Sequence, residues 1–489
     1  MAELEPREAW EKLRVYREKY YRQYIAAYNG DEGELRYTST EGMFWARDGK
    51  AKLHVPIGAD IAQVSADLLF GQELSFSAYD EATEANGSEQ QARLDKLVSL
   101  NDLTNKLVEA AESCAALGDV YLKLNWWQNE MDYPVVSVVQ GDAAYSEYVM
   151  GRLNAVHFFS VLRRDYEKDE VLRLYELYEK GKIFTAIFRG SSNDLGAEAQ
   201  ENALSYYGLE REVQAPVNEL LAIHIPNMRP NRLYRDNYLG RSDFDQLRGL
   251  MDSLDEAYSS WMRDIRLAKA RLIVPAEYLR RRSGDMFRDG QYTYEFDEDV
   301  ETLVALDIDP DRGGNAITSS QFAIRSAEHA ATCAELIRNI VSIAGYAPQS
   351  FGLDISGMAQ SGTALQIRQQ KSYNTLAKKQ TYWKSPLEKL LTSMIHLDAA
   401  LYPGAGSDSD DEVKIRFADS SANDISTLSS ALQMLNSASA ISTQLKVQML
   451  HPDWTQQQIA EEVERVKTEN GIGIEAPAMD LGDDERPQE

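Results

Sequence analysis

Two long amphipathic stretches separated by a short acidic insert constrain this chain more than any other pattern in it. From Ser242 onward, Leu247, Leu250, Leu254, Tyr258, Trp261 and Ile265 recur at intervals of three and four, the spacing of one helical face. Ser242, shortly before Asp245, predicts a capped start, and the helical pattern stops near Pro275. A second row, Ala323, Ala327, Ala330, Ala334, Ile337, Val341 and Ala344, predicts a helix from about Ser319 to Ala344, closed by Gly345 and Pro348. Its small side chains suit close approach of neighbouring helix backbones. The insert, residues 276–312, holds strand-like YTYEF and ETLVALDI and the turn DPDRGGN.

The remainder predicts an α+β fold that is predominantly helical, too long at 489 residues for one compact core. Residues 5–28 read as a helix rich in Tyr and Arg. LHVPIGADIAQVSADLLFG (53–71) reads as a short strand, then Pro56, then a helix with Ile57, Ile61, Val64 and Leu68 on one face. Residues 89–117 form a further helix through Leu94, Leu97, Leu103, Leu107 and Ala111, stopping at Gly118. DVYLKLNWW, YPVVSVVQ, AVHFFSVLRR, VLRLYELYEKGKIFTAIFR and ELLAIHIPN are rich in β-branched and aromatic residues, with a hairpin at Gly181, and predict an antiparallel or mixed sheet. A third helix spans Thr363 to about Tyr402, with a possible kink at Pro386. The acidic linker PGAGSDSDDE follows, then VKIRF as a strand returning to the main sheet, two helices over 424–450 and 452–470, and a disordered acidic tail from Gly471.

The formal charge of −27 argues against tight wrapping of nucleic acid. Charge is nonetheless uneven: residues 363–389 carry Arg368, Lys371, Lys378, Lys379, Lys384 and Lys389 against the single acid Glu388. That run reads either as a solvated face or as contact with a polyanion. Just before it, Gly357 and Gly362 have the spacing of a phosphate-binding loop, but Thr363 stands where the lysine is needed, so Ser361 or Thr363 is read as a helix cap. Asp307, Asp309 and Asp311 open like a calcium loop, yet Arg312 and Thr318 replace its glycine and its glutamate. Asp408, Asp410, Asp411 and Glu412 read as a solvated linker rather than an ion site. Cys114 and Cys333, among alanines at helical spacing, read as buried free thiols. The histidines show no metal-binding pair, and no nucleophile elbow occurs, so no catalytic residue, metal or cofactor is expected. Without a signal-peptide pattern or a long apolar run, the chain is expected to stay in the cytoplasm where it is made, with no membrane partner.

Several stretches in order resemble the portal proteins of tailed bacteriophages, of the long-tailed phage type. LHVPIGADIAQVSADLLFG, CAALGDVYLKL, and HIPNMRP followed by LGRSDFDQLRGLMDSLDEAYSSWMRDIRLAKARLIVP look like that family's wing-and-stem signatures. So does SSQFAIRSAEHAATCAELIRNIVSIAG, followed by a Gly/Ser loop and a long helix. The likeness runs over residues 10–470. It implies a ring, usually of twelve subunits, at one vertex of the capsid, with double-stranded DNA passing through it and no enzymatic activity. It further implies a wing (1–240), stem helices (241–268 and 318–345) around a clip (269–317), a tunnel loop (346–362), a long wing helix with return strand (363–423), and crown helices (424–470).

On this resemblance Ser356, Gly357, Met358, Gln360, Ser361, Arg368, Lys371, Lys378 and Lys379 would border the DNA channel, meeting only the DNA backbone. Asp297, Glu298, Asp299 and Glu301 of the clip would meet protein partners. The implied partners are the large terminase motor, the head-to-tail adaptor, and the major capsid and scaffolding proteins. The implied location is the virion, after assembly in the host bacterial cytoplasm. An ATPase with a degenerate phosphate loop, or a helical scaffold or adaptor without a channel, are the alternatives.

Overall fold

The structure, a computed structural model, describes residues 4–29, 53–72, 74–78, 87–127, 130–200, 202–234, 237–267, 271–273, 280–286, 292–295, 318–320, 324–353, 362–404, 412–417, 425–438, 440–451 and 456–469. The chain divides into two units, Met1–Ala359 with Leu365–Ala418, and Gln360–Ala364 with Asp419–Glu489.

In the first unit, the expected N-terminal helix is α1 (Pro6–Tyr16), a π-helical turn (Arg17–Tyr21) and α2 (Arg22–Asn29). The π turn has a reason in the sequence. Widening the helix by one residue lets consecutive Tyr20 and Tyr21 both be buried beside Tyr16 and Tyr24. α3 (Ile57–Phe70) buries Ile57 and Ile61 as expected, together with Ala62, Ser65, Ala66, Leu69 and Phe70. The strand expected before Pro56 is absent. Instead, Leu53 N donates to Ser259 Oγ (2.9 Å) and Val55 N to Asp255 Oδ1 (2.8 Å), so side chains take the place of a ladder.

After β1 (Ser75–Ser77), the single helix expected over 89–117 is two, α4 (Gly87–Leu100) and α5 (Leu103–Leu117). Asn101 causes the break. Its amide bonds the carbonyls of Leu97 and Pro134 and accepts from Val136 N, which fixes the chain in a bend, and Asp102 adopts φ 47°.

The strands follow: β2 (Asp119–Asn125), β3 (Val135–Gln140), β4 (Ala144–Val149), β5 (Arg152–Asp165), β6 (Glu170–Glu179), β7 (Lys182–Gly190) and β8 (Ala197–Glu198). A short α6 (Asn202–Tyr206), β9 (Glu212–Gln214) and β10 (Ala222–Pro226) complete the region. They form a three-stranded sheet, β10-β2-β3, and a six-stranded one, β4-β5-β6-β7-β8 with β9 beside β7. All these pairings are antiparallel, and Gly181 makes the expected β6–β7 hairpin at φ 77°.

The first long helix, α7 (Arg248–Leu267), begins later than Ser242 predicts. Ser242 Oγ donates to the Ala116 carbonyl at 2.6 Å and accepts from Phe244 N at 3.0 Å, so it stitches a turn rather than capping α7. β11 (Arg271–Ile273) pairs with β14 (Thr318–Ser320) and closes the insert's base; inside it, β12 (Arg280–Met286) pairs with β13 (Tyr292–Glu295). ETLVALDI, DPDRGGN and the calcium-like aspartates lie outside the described residues. α8 (Ser326–Ala344) starts later than Ser319 because residues 318–320 belong to that ladder, and it ends at Gly345 with φ 109°.

α9 (Gly362–Leu401) is one helix of 40 residues that runs unbroken through Pro386. β15 (Lys414–Arg416) pairs with β1, not with the main sheet as the sequence suggested. Its Ile415 is fully buried, and its partner strand is reached only because α3 and α9 share one core. That core gathers Phe70, Leu94, Leu107, Leu122, Trp383 and Leu391, and a second holds Trp10, Ile61, Phe159, Leu254 and Val341. No helix among the described residues is long and apolar enough to cross a membrane.

The second unit contains α10 (Ile425–Ser437), α11 (Thr443–Leu450) and α12 (Gln456–Glu469). Two helices were expected here. Ser442 starts a separate one, its hydroxyl accepting from Leu445 N at 3.2 Å. Val447, Ile459 and Val463 form a small core between α11 and α12. The acidic tail lies outside the described residues.

Candidate functional site

The chain crosses itself where LGD (117–119) meets LGRSD (239–243). A Cβ on Gly240 would stand 2.2 Å from the Gly118 carbonyl oxygen, so only glycine permits the crossing. Gly118 itself, at φ 96°, turns α5 into β2 and sets Asp119 into the crossing.

Asp119 Oδ1 accepts from Gly240 N and from His224 Nε2, both at 2.7 Å, and Oδ2 accepts from Tyr21 Oη at 3.3 Å. A carboxylate only accepts, so His224 donates to it through Nε2, while its Nδ1 lies in hydrogen-bond contact with Tyr148 Oη at 2.7 Å. Tyr121 stacks on the imidazole, ring centroids 4.6 Å apart. Burial first, and the Asp119 charge second, hold the Tyr21 and Tyr121 hydroxyls well above their ordinary range. The histidine–carboxylate pair has the parts of a proton relay. Its exposure, 4% for His224 and none for Asp119, makes it an internal tie between β2, β10 and the Gly240 turn.

Beside it sits a second polar centre. Lys379 Nζ donates to Asp243 Oδ2 and to Ser65 Oγ, each at 2.6 Å. Tyr346 Oη donates to Asp243 Oδ2 at 2.8 Å, and Asn227 Nδ2 to Oδ1 at 2.8 Å. Burial and then Asp243 raise Tyr346 well above its usual value, keeping it a donor. Five segments therefore meet on one ion pair: α3 through Ser65, the exit of β10 through Asn227, the lead-in to α7 through Asp243, the end of α8 through Tyr346, and α9 through Lys379. Removing one member of such a pair leaves an uncompensated buried charge, at about 3–5 kcal/mol.

Lys379 corrects the sequence reading directly. It is 1% exposed and bound to Asp243, so it is not available to a DNA backbone. Its periodicity carried the signal: Ser372, Leu376, Lys379, Trp383, Leu387 and Leu390 are all buried at intervals of three and four. Lys378 and Lys384 are exposed on other faces of α9. Lys371, also exposed, bonds Ser342 Oγ at 3.0 Å and the Ser342 carbonyl, tying α9 to α8. Arg368 lies on α9, its side chain outside the described residues. Ser356, Gly357, Met358, Gln360 and Ser361, like Asp297, Glu298, Asp299 and Glu301, lie outside the described residues. Asp119, His224, Asp243 and Tyr346 were not singled out from sequence, although LGD places an aspartate directly after a glycine turn and LGRSD places one three residues after, each beside apolar runs. Cys114 and Cys333 are buried free thiols as expected.

From these two centres α7 and α8 run out together. Near their roots Leu247, Leu254, Ile340 and Val341 are fully buried. Farther out, Trp261 stacks on His329 at 6.1 Å, and Asp264 accepts from His329 Nε2 (2.9 Å) and Arg325 Nη2 (3.0 Å). Those hydrogen bonds, His329's first, hold Asp264 below the usual carboxylate range. There Ala327 and Ala330 of the predicted stripe are exposed, as are Ile324, Tyr258 and Ile265. Among the described residues no group of His, Cys, Asp or Glu could hold a metal ion.

No curated protein matches the chain. Among solved structures, one described as the virion of a native gene transfer agent particle is 12% identical over 88% of this chain and 98% of its own, with a TM-score of 0.41. The neck of an empty particle computed with C6 symmetry is 12% identical over 81% and 90%, TM-score 0.43. The neck of a native particle computed with C12 symmetry is 12% identical over 86% and 93%, TM-score 0.41. Similarity at that level carries no argument about this chain. The family described as "Phage portal protein, SPP1 Gp6-like" matches residues 28–472. That match takes in the Gly118–Gly240 crossing, the Asp119–His224 and Asp243–Lys379 pairs, and α7, α8 and α9, and the chain belongs to this family of phage portal proteins.

Proposed function

We propose that copies of this chain close into a ring, of twelve subunits, at one capsid vertex of a virion. Double-stranded DNA passes through the ring during packaging and ejection. On this reading residues 1–240 are the wing, 241–268 and 318–345 the stem, 269–317 the clip, 346–362 the tunnel loop, 363–423 the long wing helix and return strand, and 424–470 the crown. The clip, with Asp297, Glu298, Asp299 and Glu301, meets the terminase motor and later the head-to-tail adaptor, and capsid and scaffolding proteins meet the ring's outer surfaces. Assembly takes place in the host bacterial cytoplasm, and hydrolysis of nucleotide belongs to the motor.

The observation that carries this reading is α8. Its root is buried within its own chain, while its outer half leaves Ala327 and Ala330 exposed beside Ile324. Small side chains left open on a helix suit close packing against the same helices of neighbouring copies, and a heterologous contact that closes by rotation makes a ring. With Lys379 withdrawn, the tunnel loop with Arg368, Lys371 and Lys378 remains as the proposed DNA border. Its contacts are to backbone phosphates.

Native mass measurement with negative-stain images of the purified chain tests the ring: closed particles with a central hole are expected, and a monomer or an open filament overturns the reading. Lys378→Glu tests the DNA border, with intact rings and reduced packaged DNA expected; heads filled to the usual extent would remove Lys378 from the path.

A further inference from the structure

A cavity of about 610 Å³ opens on the first unit, lined by Arg229, Pro230, Asn231, Arg232, Asn237 and Tyr382. In a chain of net charge −27, Arg229, Arg232 and the neighbouring Arg241 gather here around one buried acid, Asp245, which lies 4.0 Å from Arg232. Among the described residues, no carboxylate lies within hydrogen-bonding distance of Arg229, Arg232 or the neighbouring Arg241. Arg229 rests on the Tyr238 ring, 4.9 Å from its centroid. The half-exposed Arg232 side chain comes only to 4.0 Å from Asp245, and Arg241 meets the Met228 sulfur at 3.9 Å. Burial, and after it the nearby Arg232 charge, lower Arg241's pKa against the opposing pull of Asp245 and Asp243. An anion placed in the cavity would relieve that repulsion.

The rim adds a second chemistry. Beyond Arg232 the chain continues into Leu233 and Tyr234, exposed at 44% and 42%. Both are held firmly: the Leu233 carbonyl accepts from Tyr20 Oη at 3.2 Å, and Tyr234 packs on Tyr16 with centroids 5.6 Å apart. Tyr238 is fixed by stacking on Tyr148 at 4.3 Å. Rigid tyrosines beside arginines, with one aliphatic side chain exposed, form the composition of a protein-binding hot spot. A DNA duplex is a convex rod that would touch only the rim of such a cavity. An extended peptide can send single carboxylates into it, where an arginine fork accepts them in bidentate fashion.

We propose that this cavity docks an acidic segment of a partner protein, with carboxylates held by Arg229 and Arg232 and an apolar side chain laid on Leu233 and Tyr234. The proposal is independent of DNA passage and of ring closure.

Fluorescence anisotropy of the full chain with a labelled hexapeptide alternating glutamate and leucine tests it, with one alternating lysine and leucine as control. Saturable binding that weakens with salt is expected from the acidic peptide alone. Arg229→Ala and Arg232→Ala should each weaken it about tenfold, the loss of one charge-assisted contact, and Leu233→Glu should abolish it, all with unchanged thermal unfolding. Equal binding by the Arg229→Ala/Arg232→Ala chain, or no saturable binding by the parent, overturns the proposal. So does displacement of the peptide by inorganic phosphate or a short duplex at equal charge concentration. If isolated chains bind the peptide, assembled rings do not, and the double variant no longer assembles, a neighbouring copy fills the cavity and the partner-protein assignment is wrong.

Discussion

The two ends of α8 live in different surroundings. At the C-terminal end Ile340 and Val341 have no exposure, Ala344 has 6%, and Tyr346 just beyond donates into the Asp243–Lys379 centre. At the N-terminal end Ala327 and Ala330 are open to solvent and Ile324 is 44% exposed. One helix is thus completed by its own chain at one end and left incomplete at the other. The lesson is a division along a single element: the root serves folding, and the outer half is left open for the association proposed above.

Three substitutions break or sharpen that contrast. Lys379→Glu sets a second carboxylate against Asp243 inside the root, where like charges cannot both stay ionised. The expected result is loss of folded, soluble chain, read by circular dichroism and sedimentation; a cooperative unfolding transition like the parent's would refute the buried-pair account.

Ala330→Glu acts at the other end. A surface change of this kind shifts single-chain stability by no more than about 0.5 kcal/mol. Ring formation should nonetheless fall sharply, because the helix can no longer be approached closely. Thermal unfolding together with native mass separates the two effects, and rings at parental yield would sink the assignment of α8 to the interface.

The smallest effect is expected at Asp245, near the root of α7. Its carboxylate is buried without a hydrogen-bond donor, and burial, opposed by Arg232 and Arg241, raises its pKa above the ordinary 3.8. For an acid shifted upward, the folded state holds its proton more tightly than the unfolded state. The charged form therefore costs stability at neutral pH, and that cost disappears as pH falls through the raised value toward 3.8. Asp245→Asn should stabilise the fold slightly near neutrality, by about 1 kcal/mol or less, seen as a small rise in unfolding temperature, with the advantage shrinking in acid. A constant difference across pH would show that the carboxylate's charge is not the cause.

Sequence periodicity carried the elements that bury one continuous stripe. α3, α7, α9 and the β6–β7 hairpin stand near where apolar spacing and Gly181 put them. It failed where one side chain redirects the backbone. Asn101 breaks a helix by bonding across to β3, Ser442 starts a helix inside an apparently continuous one, and Ser242 closes a turn instead of capping. Each of these depends on a hydrogen bond whose partner or geometry periodicity does not encode. The charged residues divide the same way. Lys378 and Lys379 are neighbours in one basic run, yet 100° of helical rotation sends one to solvent and the other to Asp243. Composition treats them alike, and only the phase of Leu376 and Trp383 tells them apart. The meeting of Asp119 with His224, across 105 residues, has no local signature at all.

The span of that second polar centre also says something about when the subunit can exist. Lys379 meets Ser65 across 314 positions and Asp243 across 136, so Asp243 finds its counter-charge only after synthesis has passed into α9. Until then a growing chain carries an aspartate without its counter-charge at the place where its segments cross. A product that stops short of α9 lacks the charge that closes the joint.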